Sequence, residues 1–192
     1  GESDAERIAE TIGFPMVVKP AGEGSSVGVS KVTEAPALIP AWREAAKFGP
    51  CVLVEDWIEG SEYFVTVLQG EALPIVRIET PREFYDYEAK YFSGDTSYFC
   101  PCGLDDEREQ ECRKAALIAF EATASHGWGR VDFLMRDDGP PMFLEINSIP
   151  GMTSHSLVPM SAREAGIDYD QLVWRILETS MRPADTEVGR GA

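Results

Sequence analysis

The stretch Arg130-Val131-Asp132-Phe133-Leu134-Met135-Arg136-Asp137-Asp138-Gly139-Pro140-Pro141-Met142-Phe143-Leu144-Glu145-Ile146-Asn147 decides the fold class. Val131–Met135 and Met142–Ile146 are apolar runs of strand length, and Asp137–Pro141 between them holds turn-forming residues. The pattern predicts a β-hairpin. Side chains alternate along a strand, so Arg130 and Asp132 share one face, as do Glu145 and Asn147. A pivot at Asp138-Gly139 sets Asp132 opposite Glu145 and Arg130 opposite Asn147. Opposed residues have Cβ atoms about 5 Å apart, where like charges are destabilising. A divalent cation between the carboxylates removes that cost, and the oxygen-only set Asp132, Glu145 and Asn147 suits magnesium bridging a phosphate. A hairpin face with solvated charges is the plain alternative.

Working outward, Tyr63–Leu68 and Leu73–Ile78 flank Gly70-Glu71 and predict a second hairpin. Met16–Lys19, Val29–Val32 and Cys51–Glu55 read as strands, the last buried because its run is apolar. Ser3-Asp4-Ala5-Glu6 reads as a capping box for a short helix ending near Gly13. Thr33 is the expected cap of a helix to about Lys47, and Asp105 of one through about Ser125. Two more helices fit about Ser156–Ala165 and Asp168–Met181. Hairpins mixed with helices argue for α+β with largely antiparallel sheets, against a doubly wound parallel sheet. A boundary near Gly60–Tyr63 divides the chain into lobes of 1–62 and 63–182. Within the second, the aromatic-rich stretch at about 84–103 is expected to be a binding loop, and 183–192 a disordered tail.

The 192 residues carry 17 basic and 33 acidic side chains, a net charge of −16. That balance excludes a nucleic-acid binder, which needs a basic footprint. A polyphosphate remains a possible ligand if a few lysines, backbone N–H groups and metal ions supply local positive charge. No run of about 18 apolar residues suggests a membrane span. Cys51, Cys100, Cys102 and Cys112 lack zinc-site spacing and read as reduced thiols, so a cytoplasmic location is expected.

Three further stretches carry chemistry. In Gly22-Glu23-Gly24-Ser25-Ser26-Val27-Gly28, small residues let backbone N–H groups approach an anion, and Lys19 on the preceding strand is in reach of a phosphate. It is not a Walker A loop, and an ordinary hairpin turn is the alternative. Pro150-Gly151-Met152-Thr153-Ser154-His155-Ser156-Leu157 leads into a helix whose N-terminus attracts oxyanions; Ser156 either caps that helix or binds an anion there. Tyr85-Asp86-Tyr87-Glu88-Ala89-Lys90-Tyr91 is either a charged surface loop or a lid whose Lys90 meets phosphate and whose Tyr91 closes on a substrate.

These motifs, in this order, resemble those of the D-alanine–D-alanine ligases. The likeness runs through Val18-Lys19-Pro20, Glu23–Gly28, Glu55-Asp56-Trp57-Ile58 with Gly60 and Glu62, Phe84–Tyr91, Tyr98–Pro101, Gly127–Asp132, Glu145-Ile146-Asn147 and Pro150–Pro159. It covers nearly all of Gly13–Met181. It implies an ATP-grasp fold, two α+β lobes that hold ATP between their sheets. Lys19 and Lys90 would then contact phosphates, Glu55, Trp57 and Ile58 the adenine, and Glu62 the ribose. Asp132, Glu145 and Asn147 would carry two magnesium ions, with Mn2+ as a substitute. Arg130 and the Gly151 N–H would stabilise a tetrahedral intermediate, Ser25 and Tyr91 would shape the first D-alanine site, and Ser156 with Leu157 the second. The implied product is D-alanyl-D-alanine for peptidoglycan, made through an acyl phosphate by a homodimer. The family also carries an N-terminal domain and the start of the central one, which supply a substrate-binding acid and another lysine. The 192 residues match the portion beyond them, so weak or no ligase activity is expected of this stretch alone. Another ATP-grasp carboxylate–amine ligase, or a non-catalytic nucleotide-binding fragment, are the competing readings.

Overall fold

A computed structural model describes residues 4–24, 26–79, 96–137 and 139–181. Two compact units emerge, one running to Ile58 and a second built from Glu59–Glu79 and the residues from Ser97 onward. Both sheets are wholly antiparallel, the α+β class expected.

In the first unit, α1 (Ala5–Ile12) leads into a three-stranded sheet of order β2-β1-β3, with β1 at Met16–Pro20, β2 at Ser30–Val32 and β3 at Val52–Asp56. Helix α2 (Ala35–Ala45) runs on into a 3-10 turn at Ala46–Phe48. Alternation makes one sheet face apolar. Met16, Val18 and Val32 are buried against Leu38, Ala41 and Ala45 of α2, with Ile8 and Ile12 of α1 alongside. The opposite face bears Val17, Lys19, Lys31 and Glu55. Two expectations fail here. Glu34, not Thr33, is the N-cap of α2, because Glu34 is still extended (φ −152°, ψ 153°) and helical geometry begins one residue later, at Ala35. β3 is only half-buried, since this unit's helices pack on one side of the sheet, leaving Leu53 39% exposed. Asp4 is the N-cap of α1 but makes no side-chain cap bond; its carboxylate accepts from Arg7 Nη2 at 3.1 Å instead, and Ser3 lies outside the described residues.

The second unit centres on β4 (Ser61–Leu68) in a sheet of order β7-β6-β4-β8-β9, with β5 (Glu71–Ala72) also on β4. Here β6 is Val76–Glu79, β7 Ser97–Phe99, β8 Trp128–Met135 and β9 Met142–Asn147. β4 is covered on both sides, which is why Tyr63–Leu68 is buried throughout and carries a single polar residue, Thr66. Gln69 and Gly70 join β4 to β5 with φ of 53° and 82°, the double positive φ of a tight hairpin turn. On one face Tyr63, Val65, Val67, Val131 and Phe133 meet Cys112, Ala116 and Phe120 of α3 (Asp106–Ala122). Full burial of such a side chain contributes about 1.5–3 kcal/mol. On the other face Leu68 and Leu73 meet α4 (Leu157–Glu164) and α5 (Tyr169–Ser180) through Val158, Ala162 and Leu172.

Two helices of this unit carry regular side-chain caps. Asp105 accepts from the Arg108 N–H at 2.9 Å, and Asp168 with Gln171 forms a full capping box on α5. α3 stops at Ala122, short of Ser125, where Ala124 turns to φ 53°. Arg108 reaches from α3 into the β8–β9 connection, donating to the carbonyls of Gly139 at 2.8 Å, Arg136 at 3.4 Å and Asp137. Gly60 approaches the same end of the sheet. A Cβ there would sit 2.0 Å from the Met135 carbonyl oxygen. β7 falls within the stretch expected to be loop, because a three-residue edge strand leaves little periodicity to read. The expected tail at 183–192 lies outside the described residues.

Candidate functional site

The candidate residues fall into two groups, one in each unit. In the second unit, β8 pairs with β9 so that Asp132 faces Glu145 and Arg130 faces Asn147, the register anticipated from the hairpin. It arises in an unanticipated way. Phe133 pairs with Phe143, so Leu144 is an extra residue on β9, a bulge beside the Asp132–Glu145 pair. The bulge returns Phe143 to the apolar face, where its ring meets that of Phe133 edge-on at 6.4 Å. Glu145 and Asn147 thereby stay on the face of Asp132 and Arg130.

β4 contributes to the same face. Phe64 pairs with Asp132, and Thr66 with Arg130. Arg130 and Asp132 are 6% and 2% exposed. Arg130 Nε and Nη2 donate to Asp132 Oδ1 and Oδ2, both at 2.7 Å, and the guanidinium lies 5.0 Å from the Phe64 ring. A bidentate fork of this kind fixes Asp132 in direction as well as charge. Glu145 is exposed and Asn147 half-buried. Two carboxylates and a carboxamide on opposed strands offer only oxygen donors, which fits a hard divalent cation. No group of three or more His, Cys, Asp or Glu poised for a metal occurs among the described residues, so Asn147 and external oxygens would complete the shell. Glu62 lies on β4 opposite Leu134 and Ile78.

In the loop before α4, the Ser156 Oγ accepts from the Thr153 N–H at 3.0 Å and lies 2.9 Å from the Thr153 Oγ1. Ser156 is the N-cap residue but makes no side-chain cap bond: its Oγ is turned to Thr153 instead, and Pro159 at the third helical position has no N–H to give. Of the two readings of Ser156, simple capping is therefore not what the geometry shows. The first-turn N–H groups of Leu157 and Val158 have no intrahelical acceptor. Gly151 is held close to Ser156, since a Cβ there would stand 3.0 Å from Oγ.

In the first unit, Lys19 and Glu55 occupy one sheet face, and Lys19 Nζ lies 2.7 Å from Glu55 Oε2. Trp57 follows β3 and donates its backbone N–H to the Pro15 carbonyl at 3.2 Å; Ile58 is next and half-buried. In the glycine-rich loop Gly28 has φ 71°, and a Cβ on it would meet the Phe48 ring at 2.7 Å. Its smallness therefore answers a packing and backbone need. Gly22 and Gly24 face open space. Ser25, Lys90 and Tyr91, with the proposed lid, lie outside the described residues. Sequence reasoning missed Lys31, whose ammonium sits 4.0 Å from the Trp57 ring centroid. The register Lys31–Val17–Glu55 across three strands was the available signal.

Residues 2–178 match the family model for the D-ala D-ala ligase C-terminus. Over 189 residues the chain is 53% identical to the D-alanine–D-alanine ligase of Alkalilimnicola ehrlichii, covering 98% of itself and 60% of that relative. Among solved structures it is similar to the Bacillus anthracis D-alanine–D-alanine ligase complexed with ATP, at 33% identity and a TM-score of 0.75, over 89% of this chain and 54% of that one. It is also similar to the VanG D-Ala:D-Ser ligase of Enterococcus faecalis, at 30% identity and a TM-score of 0.81, over 94% and 53%. The chain thus spans somewhat over half the length of these proteins.

Proposed function

The chain belongs to the D-ala D-ala ligase C-terminus family, and we propose on that premise that it supplies the nucleotide, metal and second-substrate contacts of an ATP-dependent D-alanine–D-alanine ligase. The observation that carries this reading is the facing of Asp132 with Glu145 and of Arg130 with Asn147 on one sheet face.

In the proposed reaction, the carboxylate of one D-alanine takes the γ-phosphoryl group of ATP, forming an acyl phosphate and releasing ADP. The amine of a second D-alanine attacks that acyl phosphate, and phosphate leaves as the amide forms. Asp132, Glu145 and Asn147 hold magnesium, which when bound neutralises phosphate charge. Lys19, and Lys90 from its loop, bind phosphate oxygens; Glu55, Trp57 and Ile58 bind the adenine and Glu62 the ribose. Arg130 and the Gly151 N–H stabilise the oxyanion that develops during attack. Asp132 orients Arg130 for that task, because the bidentate bond leaves the guanidinium little rotational freedom. Ser25 and Tyr91 shape the first substrate site, and Ser156 with the Leu157 N–H receives the second D-alanine's carboxylate. ATP use supports a cytoplasmic setting, consistent with the absence of any described helix long and apolar enough to cross a membrane.

Calorimetry tests the metal assignment. Glu145→Gln weakens magnesium-dependent ATP binding by about tenfold or more, by analogy with the loss of one charged ligand. Wild-type affinity in that variant would count against it. The likeness to a D-Ala:D-Ser ligase supports a second reading, in which D-serine is the second substrate. Product analysis of the longer protein with D-alanine, D-serine and D-lactate separates the two.

A further inference from the structure

We infer that Lys31 is a positioning residue for the nucleotide base, acting through Trp57; this rests on the nucleotide reading above. The case begins with the strand register. Lys31 on β2 pairs with Val17 on β1, and Val17 pairs with Glu55 on β3. The three side chains therefore point to the same face, away from the buried Met16, Val18 and Val32. Trp57 lies two residues beyond Glu55, just past the end of β3. Lys31 and Trp57 thus come from the two strands that flank β1, yet the Lys31 Nζ sits 4.0 Å from the indole centroid. Their contact bridges the central strand.

An ammonium over an indole face is attracted by the ring's quadrupole. The contact restricts rotation of Trp57 about its side-chain bonds. The backbone is restrained independently by the bond from the Trp57 N–H to the Pro15 carbonyl. With both restraints in place, the indole is presented in one orientation before any base arrives. A side chain already ordered loses less entropy on binding. Lys31 is thus assigned no contact with phosphate. Lys19, paired with Glu55 on the same face, retains that role.

The test is calorimetric titration of the chain with magnesium-ATP and, separately, with inorganic tripolyphosphate and magnesium. Lys31→Met weakens ATP binding about two- to fivefold, the range expected of a partly exposed cation–π contact. It leaves tripolyphosphate affinity unchanged, and Lys31→Arg restores ATP affinity. In the Trp57→Leu background, Lys31→Met has no further effect, because its partner is gone. Lys31 is half-buried, so circular dichroism melts of Lys31→Met are expected to match wild type. Wild-type ATP affinity in Lys31→Met overturns the inference. So does an equal loss toward tripolyphosphate, or full additivity with Trp57→Leu, since either would make Lys31 a direct ligand. Failure of the wild-type chain to bind ATP would instead refute the nucleotide reading, and this inference with it.

Discussion

Arg130 and Asp132 stand two positions apart on β8, nearly sealed from water, and each is the other's bidentate partner. Removing one member of a buried pair leaves an uncompensated charge, which costs about 3–5 kcal/mol. Arg130→Met is therefore expected to lower the urea midpoint strongly. The double change Arg130→Met with Asp132→Leu recovers much of that loss, because a well-packed apolar pair needs no compensating charge. A double variant no more stable than the single one would show that the pair does not account for the cost. The alternation putting these two side chains together was legible in the sequence. Their mutual fork was not, since alternation gives a shared face but no rotamers. Lys31 was hidden for a related reason. Its partner Trp57 is 26 positions away, and only the order β2-β1-β3 brings the two together.

At the scale of elements, hairpin strands were easier to anticipate than boundaries or caps; Asp105 caps α3 as expected, but Glu34 rather than Thr33 caps α2. The β8–β9 hairpin and the Asp105 cap follow local rules that a sequence displays, whereas the second expected hairpin turns at Gln69-Gly70 instead of Gly70-Glu71, and its expected strand at Leu73–Ile78 begins only at Val76. The Leu144 bulge follows no such rule, because a leucine in an apolar strand carries no sign of being the extra residue. It depends on Phe143 finding Phe133 across the sheet. The exposure of β3 likewise depended on which side α1 and α2 would choose. The Asp105 cap offers a direct measurement. Asp105→Ala loses the acceptor for the Arg108 N–H and is expected to cost about 1 kcal/mol in chemical denaturation. A change within error would mean that another group takes over the cap.

For the whole molecule, the antiparallel α+β architecture was readable because hairpins such as β8–β9 are interleaved with helices such as α2 and α3 along the chain. The four cysteines are all free thiols in unlike surroundings. Cys51 is exposed, whereas burial raises Cys100 and Cys112 from an ordinary 9.0 to about 11. The thiolate is the reactive form, so a disulfide reagent at pH 8 should modify Cys51 first, the half-buried Cys100 more slowly, and the buried Cys102 and Cys112 only on unfolding. Equal rates for all four would contradict the burial. The same shifts set an alkaline limit. The unfolded chain begins to release these protons near pH 9.0, while the folded chain holds them to about 11. Their contribution is intact below pH 9.0 and is lost as pH rises through about 11.

Arg108 has one practical consequence. Its guanidinium grips three carbonyls of the β8–β9 connection from behind. An epitope or reporter spliced between Arg136 and Gly139 would pull those acceptors out of reach, although the site lies at a hairpin tip where insertions are ordinarily tolerated. The Gln69–Gly70 tip is tied as well, since Gln69 is bonded through its side chain to Arg175 of α5. Protein engineers wanting a label on this unit would do better with the surface of α3, at Ile118, than with either tip.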